Sequence, residues 1–154
     1  MSNDKPLVGI ILGSKSDAPD FEGCKEMLEK FGVPYEFVIH SAHRNPDDVR
    51  ERAGSAEYRG LRATIAGAGK AAALGGVVAS HTPLPVIAVP MKTSDLGGMD
   101  SLLSTVQMPT GVPLACVAIN GTKNAAILAT QILGTAIPEY RDAIVAYKRE
   151  LAGA

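Results

Sequence analysis

The chain has 154 residues, enough to bury one core and too few for two ordinary ones. Hydrophobic residues make up 46% and charged residues 20%, near globular averages, which excludes a disordered or fibrous class. Lys and Arg total 15 against 16 Asp and Glu, a net charge of −1, so the broad positive field of a nucleic-acid binder is missing and any anion must be met by local groups.

The polar start and the apolar run at 7–12, too short for a signal core or a membrane span, predict a cytoplasmic protein. Similar runs rich in Val and Ile recur at 35–39, 63–66, 85–89 and 114–119. They show little polar alternation, as strands buried on both faces do. Between them lie helix-like segments at 18–31, 46–59, 71–80, 101–106 and 122–133. Strict alternation of strand and helix predicts a parallel sheet with helices on both faces. Asp17 is placed to cap the first helix, Gly32 to end it, and Asn45-Pro46 to start the second. From Pro138 a last helix carries Tyr140, Ile144, Tyr147 and Leu151 at spacings of three and four, a face for the domain or for a neighbouring subunit. No repeat or linker divides the chain, so residues 1–154 are expected to form one domain. Cys24 and Cys116 lack metal-ligand spacing and read as small core residues. The Gly- and Pro-rich stretch 90–113 is expected to be irregular, as a site wall or subunit contact.

In an open parallel sheet, ligands bind beyond the carboxyl ends of the strands. Three such loops are chemically loaded. Gly13-Ser14-Lys15-Ser16-Asp17 offers a tight turn, two hydroxyls and the N–H groups of a helix start, all suited to an anion, without the glycine spacing of a Walker or dinucleotide loop. An ordinary Ser/Asp cap is an equal reading of that segment alone. Ser41-Ala42-His43-Arg44-Asn45-Pro46 brings an imidazole, a guanidinium and a hydroxyl to one rim. Imidazoles exchange protons near neutral pH, and the guanidinium forks onto phosphate or carboxylate. His40 and His81, without such neighbours, read as structural. Ala66-Gly67-Ala68-Gly69-Lys70-Ala71-Ala72-Ala73 is small enough for a ligand ring to lie against its backbone, with Lys70 either a second positive charge or a solvated side chain. Asp47-Asp48 complements a helix dipole, and no zinc spacing or nucleophile elbow occurs.

These loops, together with Asp100-Ser101-Leu102-Leu103-Ser104-Thr105-Val106-Gln107-Met108-Pro109 and Gly111-Val112-Pro113, resemble the PurE family of purine biosynthesis. The resemblance runs from Val8 to about Leu133 and is closest to the 5-(carboxyamino)imidazole ribonucleotide mutase branch. It implies a three-layer α/β/α sandwich and a homo-octamer with sites at subunit junctions. It also implies a carboxylate moved from the exocyclic nitrogen to ring carbon 4 through enzyme-held carbon dioxide, a lyase-like first half closing as an isomerisation. The resemblance makes His43 the catalytic acid/base, Ser14, Asp17 and Arg44 substrate-binding positions, and Ser16 and Ser41 phosphate or carboxylate contacts. Gly69 and Lys70 complete the expected substrate set, with residues 101–113 as a further wall. No metal or organic cofactor is implied.

The chain departs from that pattern where many members read Gly-Gly-Ala-Ala-His-Leu-Pro-Gly. Here the residues are Gly69-Lys70-Ala71-Ala72-Ala73-Leu74-Gly75-Gly76, so the histidine is missing at Ala73 and is expected to be auxiliary. The same loop keeps open a phosphoribosylaminoimidazole carboxylase that takes free carbon dioxide. A non-catalytic nucleotide- or flavin-binding module on a flavodoxin-like or Rossmann-like sheet is the third reading.

Overall fold

A computed structural model describes residues 4–153. The aliphatic runs form β1 (Val8–Leu12), β2 (Tyr35–Ile39), β3 (Ala63–Gly69), β4 (Val86–Met91) and β5 (Ala115–Cys116). They make one parallel sheet in the order β2-β1-β3-β4-β5, the flavodoxin-like arrangement. Every residue of β1 and β4 is buried, because helices cover both faces and no position is left for a polar side chain. β2, at the sheet edge, is half-buried throughout.

On one face lie α1 (Glu22–Lys30), α5 (Thr122–Gly134) and α6 (Pro138–Leu151), packed on Ile10, Ile65, Ile87 and Phe21. On the other, α2 (Pro46–Gly54) and α3 (Leu74–His81) bury Val49, Leu74 and Val78 against Ile11 and Ala66. Each of these Val, Leu and Ile side chains contributes about 1.5–3 kcal/mol on burial. α4 (Met99–Val106) follows β4. α6 lays Tyr140 and Ile144 into the core and sets the Tyr147 ring edge-on to Phe31, with centroids 5.4 Å apart. Cys24 is buried in α1, and burial pushes its thiol pKa up to about 12, the state of an inert core thiol.

Several boundaries differ from the sequence expectation for identifiable reasons. The first helix is two pieces, since Pro19 lies in a 3-10 segment, Lys15–Phe21, that precedes α1. Ser14, rather than Asp17, caps it. The second helix stops at Gly54, and turns continue to Gly60, whose φ of +98° breaks the helical path. β3 continues through Gly69, pairing Ala68 with Pro90 and Gly69 with Met91, so the glycine-rich stretch assigned to a loop begins as strand. The run at 114–119 supplies only two ladder residues.

Candidate active site

The chain passes from β1 to β2 on one side and then crosses back to β3 on the other, with α1 and α2 on opposite faces. The loops after β1 and β3 therefore part, and a crevice opens at the carboxyl end of the sheet. There a cleft of about 560 Å³ is found, a size that suits a nucleotide. All eight residues expected at the site, His43 and the seven expected substrate contacts, line it. Its floor is continuous with the sheet, because the Gly13 N–H donates to the Gly67 carbonyl at 3.0 Å.

In the first loop Ser14 is extended, and its Oγ accepts the Ser16 N–H at 3.3 Å while lying 2.9 Å from the Ser16 hydroxyl. The two hydroxyls are thus paired at the start of the 3-10 segment, where the Ser14 carbonyl accepts the Asp17 N–H at 3.2 Å. Asp17 is the one carboxylate among the described lining residues. Burial, and then the charge of Asp20, raise its pKa above the ordinary carboxylate value.

The second loop is braced from within. Ser41 Oγ accepts the N–H groups of His43 (3.3 Å) and Arg44 (3.2 Å), leaving its hydroxyl proton to donate elsewhere. Asn45 sits at the start of α2 without capping it. Its Oδ1 instead accepts the Ser41 N–H at 2.6 Å, and its amide nitrogen lies 3.0 Å from Asp48 Oδ2 and 2.9 Å from His40 Nδ1. His40 is therefore a brace, as its structural reading has it. Arg44 Nη2 donates to the Gly13 carbonyl at 2.9 Å, which ties this loop to the first and lays the guanidinium along the cleft. His43, exposed on the same wall, has no side-chain bond among the described residues.

The third loop is held from outside. Gly69 presses against the segment after β4, where an added Cβ would come within 2.8 Å of Thr93 Cγ2. Lys70 follows in the left-handed region, φ +53°, and pairs with Asp95. From α4, Ser104 Oγ accepts the Ala72 N–H at 3.0 Å and bonds the Asp100 carbonyl at 2.8 Å. Ala73, where the resembled pattern was expected to have a histidine, lines the cleft. The expected wall at 101–113 is displaced: α4 backs the loop through Ser104, and Thr93 lines the cleft.

Sequence reasoning missed Thr93 and Asn120, and it gave Asn45 the start of the second helix in place of its bracing role. Asn120, itself left-handed at φ +57°, accepts the Lys92 N–H on Oδ1 at 2.8 Å and donates its own N–H to the Pro90 carbonyl at 2.9 Å. It thereby fixes the start of the segment that carries Thr93. An Asn in the sequence Ile-Asn-Gly was the available signal, since Asn is a residue that tolerates a left-handed turn.

With this geometry in place, comparison decides the family. Residues 7–153 match the sequence pattern of the family described as AIR carboxylase. The chain belongs to that family. It is 54% identical over 151 residues to the N5-carboxyaminoimidazole ribonucleotide mutase of Pyrococcus horikoshii, covering 98% of this chain and 85% of that one. The enzyme of the same name from Thermotoga maritima is 57% identical over 146 residues, 95% of this chain and 85% of its own. The phosphoribosylaminoimidazole carboxylase of Saccharomyces cerevisiae is 58% identical over 130 residues, 84% of this chain but 23% of its own. Among solved structures, Treponema denticola PurE superposes with a TM-score of 0.86 at 32% identity, covering 96% of this chain and 92% of that one.

Proposed function

We propose that this AIR carboxylase family member is an isomerase of purine biosynthesis, an N5-carboxyaminoimidazole ribonucleotide mutase, with His43 as its proton carrier. The observation that carries the reading is the presentation of His43 beside Arg44 on a loop braced from Ser41 and Asn45, at the wall of a nucleotide-sized cleft. The mutases of Pyrococcus horikoshii and Thermotoga maritima support it over nearly the whole chain.

In this mechanism protonated His43 delivers a proton to the exocyclic nitrogen as the carbamate C–N bond breaks, releasing carbon dioxide. Ring carbon 4 then attacks the captured carbon dioxide, and the neutral imidazole removes the carbon 4 proton, returning His43 to its starting state. One imidazole serves both transfers, so the balance closes without a second histidine at position 73. Arg44 forks onto an anionic group of the ribonucleotide, and the Ser14, Ser16 and Ser41 hydroxyls donate to its oxygens. Asp17, poorly suited to face an anion, accepts from the sugar hydroxyls. Gly69 and the alanines after Lys70 let the ring lie close to backbone, and holding carbon dioxide there keeps the recapture step effectively intramolecular.

Assembly into a homo-octamer with sites at subunit junctions belongs to the same proposal. It is supported by Leu96, Met99, Leu103 and Val106, which are 44–66% exposed and follow one face of α4 and its approach. A monomer in light scattering would overturn it. A cytoplasmic setting is proposed with it, and among the described residues no helix is long and apolar enough to cross a membrane.

The test is a two-substrate assay on the wild type and His43→Asn. The wild type is expected to turn over the carboxyamino ribonucleotide, and His43→Asn to lose about 10³-fold in kcat while binding ribonucleotide. Full activity in His43→Asn would overturn the assignment. The direct carboxylase is a second reading, favoured by the altered Gly69–Gly76 loop and by the yeast carboxylase relative. It is established instead if only the decarboxylated ribonucleotide with bicarbonate is consumed.

A further inference from the structure

The cleft carries its positive charge on two walls. Arg44 stands after β2, and Lys70 stands after β3, on the far side of β1. A ribonucleotide with both a phosphate and a carboxylate is anionic at two separated points, and the wall after β2 can meet one of them.

Lys70 occupies a backbone conformation that suits glycine. The contact it gains is an ion pair whose side chains are 65% and 60% exposed, a kind that adds little to folding. A strained non-glycine residue with no matching gain in stability is an indication of function. The placement is constrained as well, because Gly69 is wedged on Thr93 and Ser104 holds Ala72, so residue 70 is fixed at the cleft rim from both sides. Its neighbours Gly69, Ala71 and Ala73 are too small to reach a ligand ahead of it. Asp95, and more weakly Asp100, favour the charged form of the ammonium, so it is available as a cation.

We propose that Lys70 is a specificity-determining residue whose ammonium exchanges Asp95 for an anionic group of the bound ribonucleotide, with Asp95 as a built-in competitor. This rests on the ribonucleotide reading of the cleft and adds a second anion point to it. The consequence is a sign difference between the two halves of one ion pair. Removing Lys70 removes a ligand contact, whereas removing the Asp95 charge removes the competitor. A clamp that only shaped the loop would be weakened equally from either end.

Calorimetric titration of the wild type, Lys70→Gly and Asp95→Asn with two probes tests this. The probes are the decarboxylated aminoimidazole ribonucleotide and its 4-carboxylated form. Glycine suits the left-handed position, so Lys70→Gly is expected to keep the wild-type Tm. It should bind about five- to tenfold more weakly, and Asp95→Asn about two- to threefold more tightly. A loss on both probes places the phosphate at Lys70, and a loss confined to the carboxylated probe places the carboxylate there; either supports the exchange. Unchanged affinity in Lys70→Gly, or weakening in Asp95→Asn that parallels it, overturns the exchange while leaving the mutase reading standing. A wild type that binds neither probe overturns both.

Discussion

The loops after β2 and β3 face the same cleft but are built on opposite principles. The first holds its shape through residues within eight positions of one another: Asn45 closes on Ser41, His40 and Asp48, and Ser41 Oγ gathers the two N–H groups that follow. The second has almost no side chains of its own and takes its shape from Thr93, Asp95 and Ser104, which lie 20 or more positions away. A self-braced loop carries the proton chemistry, where small displacements of an acid/base are costly. A loop of small residues offers close backbone approach, and its position depends on α4 and the segment after β4.

The self-braced loop is most vulnerable at Asn45. Asn45→Ala leaves the Ser41 N–H without its partner, a loss of about 1–3 kcal/mol, and frees the His43-Arg44 rim. The expected result is a fall of about 10²-fold in kcat/KM, read in steady-state kinetics, with a lower urea midpoint. An unchanged kcat/KM would show that the internal bracing is not what positions His43.

Ser104→Ala tests the externally held loop. It removes the acceptor of the Ala72 N–H and should reduce kcat/KM about tenfold, with about 1 kcal/mol lost in denaturant unfolding. The kinetic effect is expected to be smaller than that of Asn45→Ala, because this loop carries no proton-transferring group.

The smallest effect is expected at Asp17, on the loop between these two. Its pKa is raised by burial and by Asp20, so the folded state binds a proton more readily than the unfolded one. The stability from this group is full below the unfolded carboxylate value and is lost as pH rises through the folded value. Asp17→Asn should therefore be the more stable protein at neutral pH, by about 0.5 kcal/mol after allowance for its exposure. Urea midpoints measured against pH are expected to converge as pH falls through the acid range. A gap that widened on acidification would reverse the sign.

The same contrast explains what the amino-acid sequence disclosed. The strands were legible because helices on both faces require uninterrupted aliphatic runs, and His43 with Arg44 was legible because its bracing is local. The end of β3 was not, since Ala-Gly-Ala-Gly carries no side-chain pattern and its strand character comes from pairing with Pro90 and Met91. Thr93 and the support from Ser104 depend on where the chain returns after β4, which no local spacing encodes. Pro19 was visible, yet its effect, a 3-10 segment ahead of α1, appears only once Phe21 is seen fixed beneath Gly67, where a Cβ would come within 2.5 Å of its ring.

The bond from Gly13 to Gly67 carries a last consequence. It makes the bottom of the cleft the final rung of the ladder between β1 and β3, two strands that each have a neighbour on both sides. Local opening of the rim at Lys70 can proceed without disturbing that rung, while its own rupture requires the central strands to separate. Heat and denaturant are therefore met by two thresholds, a low one at which the entrance loosens and a high one at which the binding surface and the whole protein are lost together.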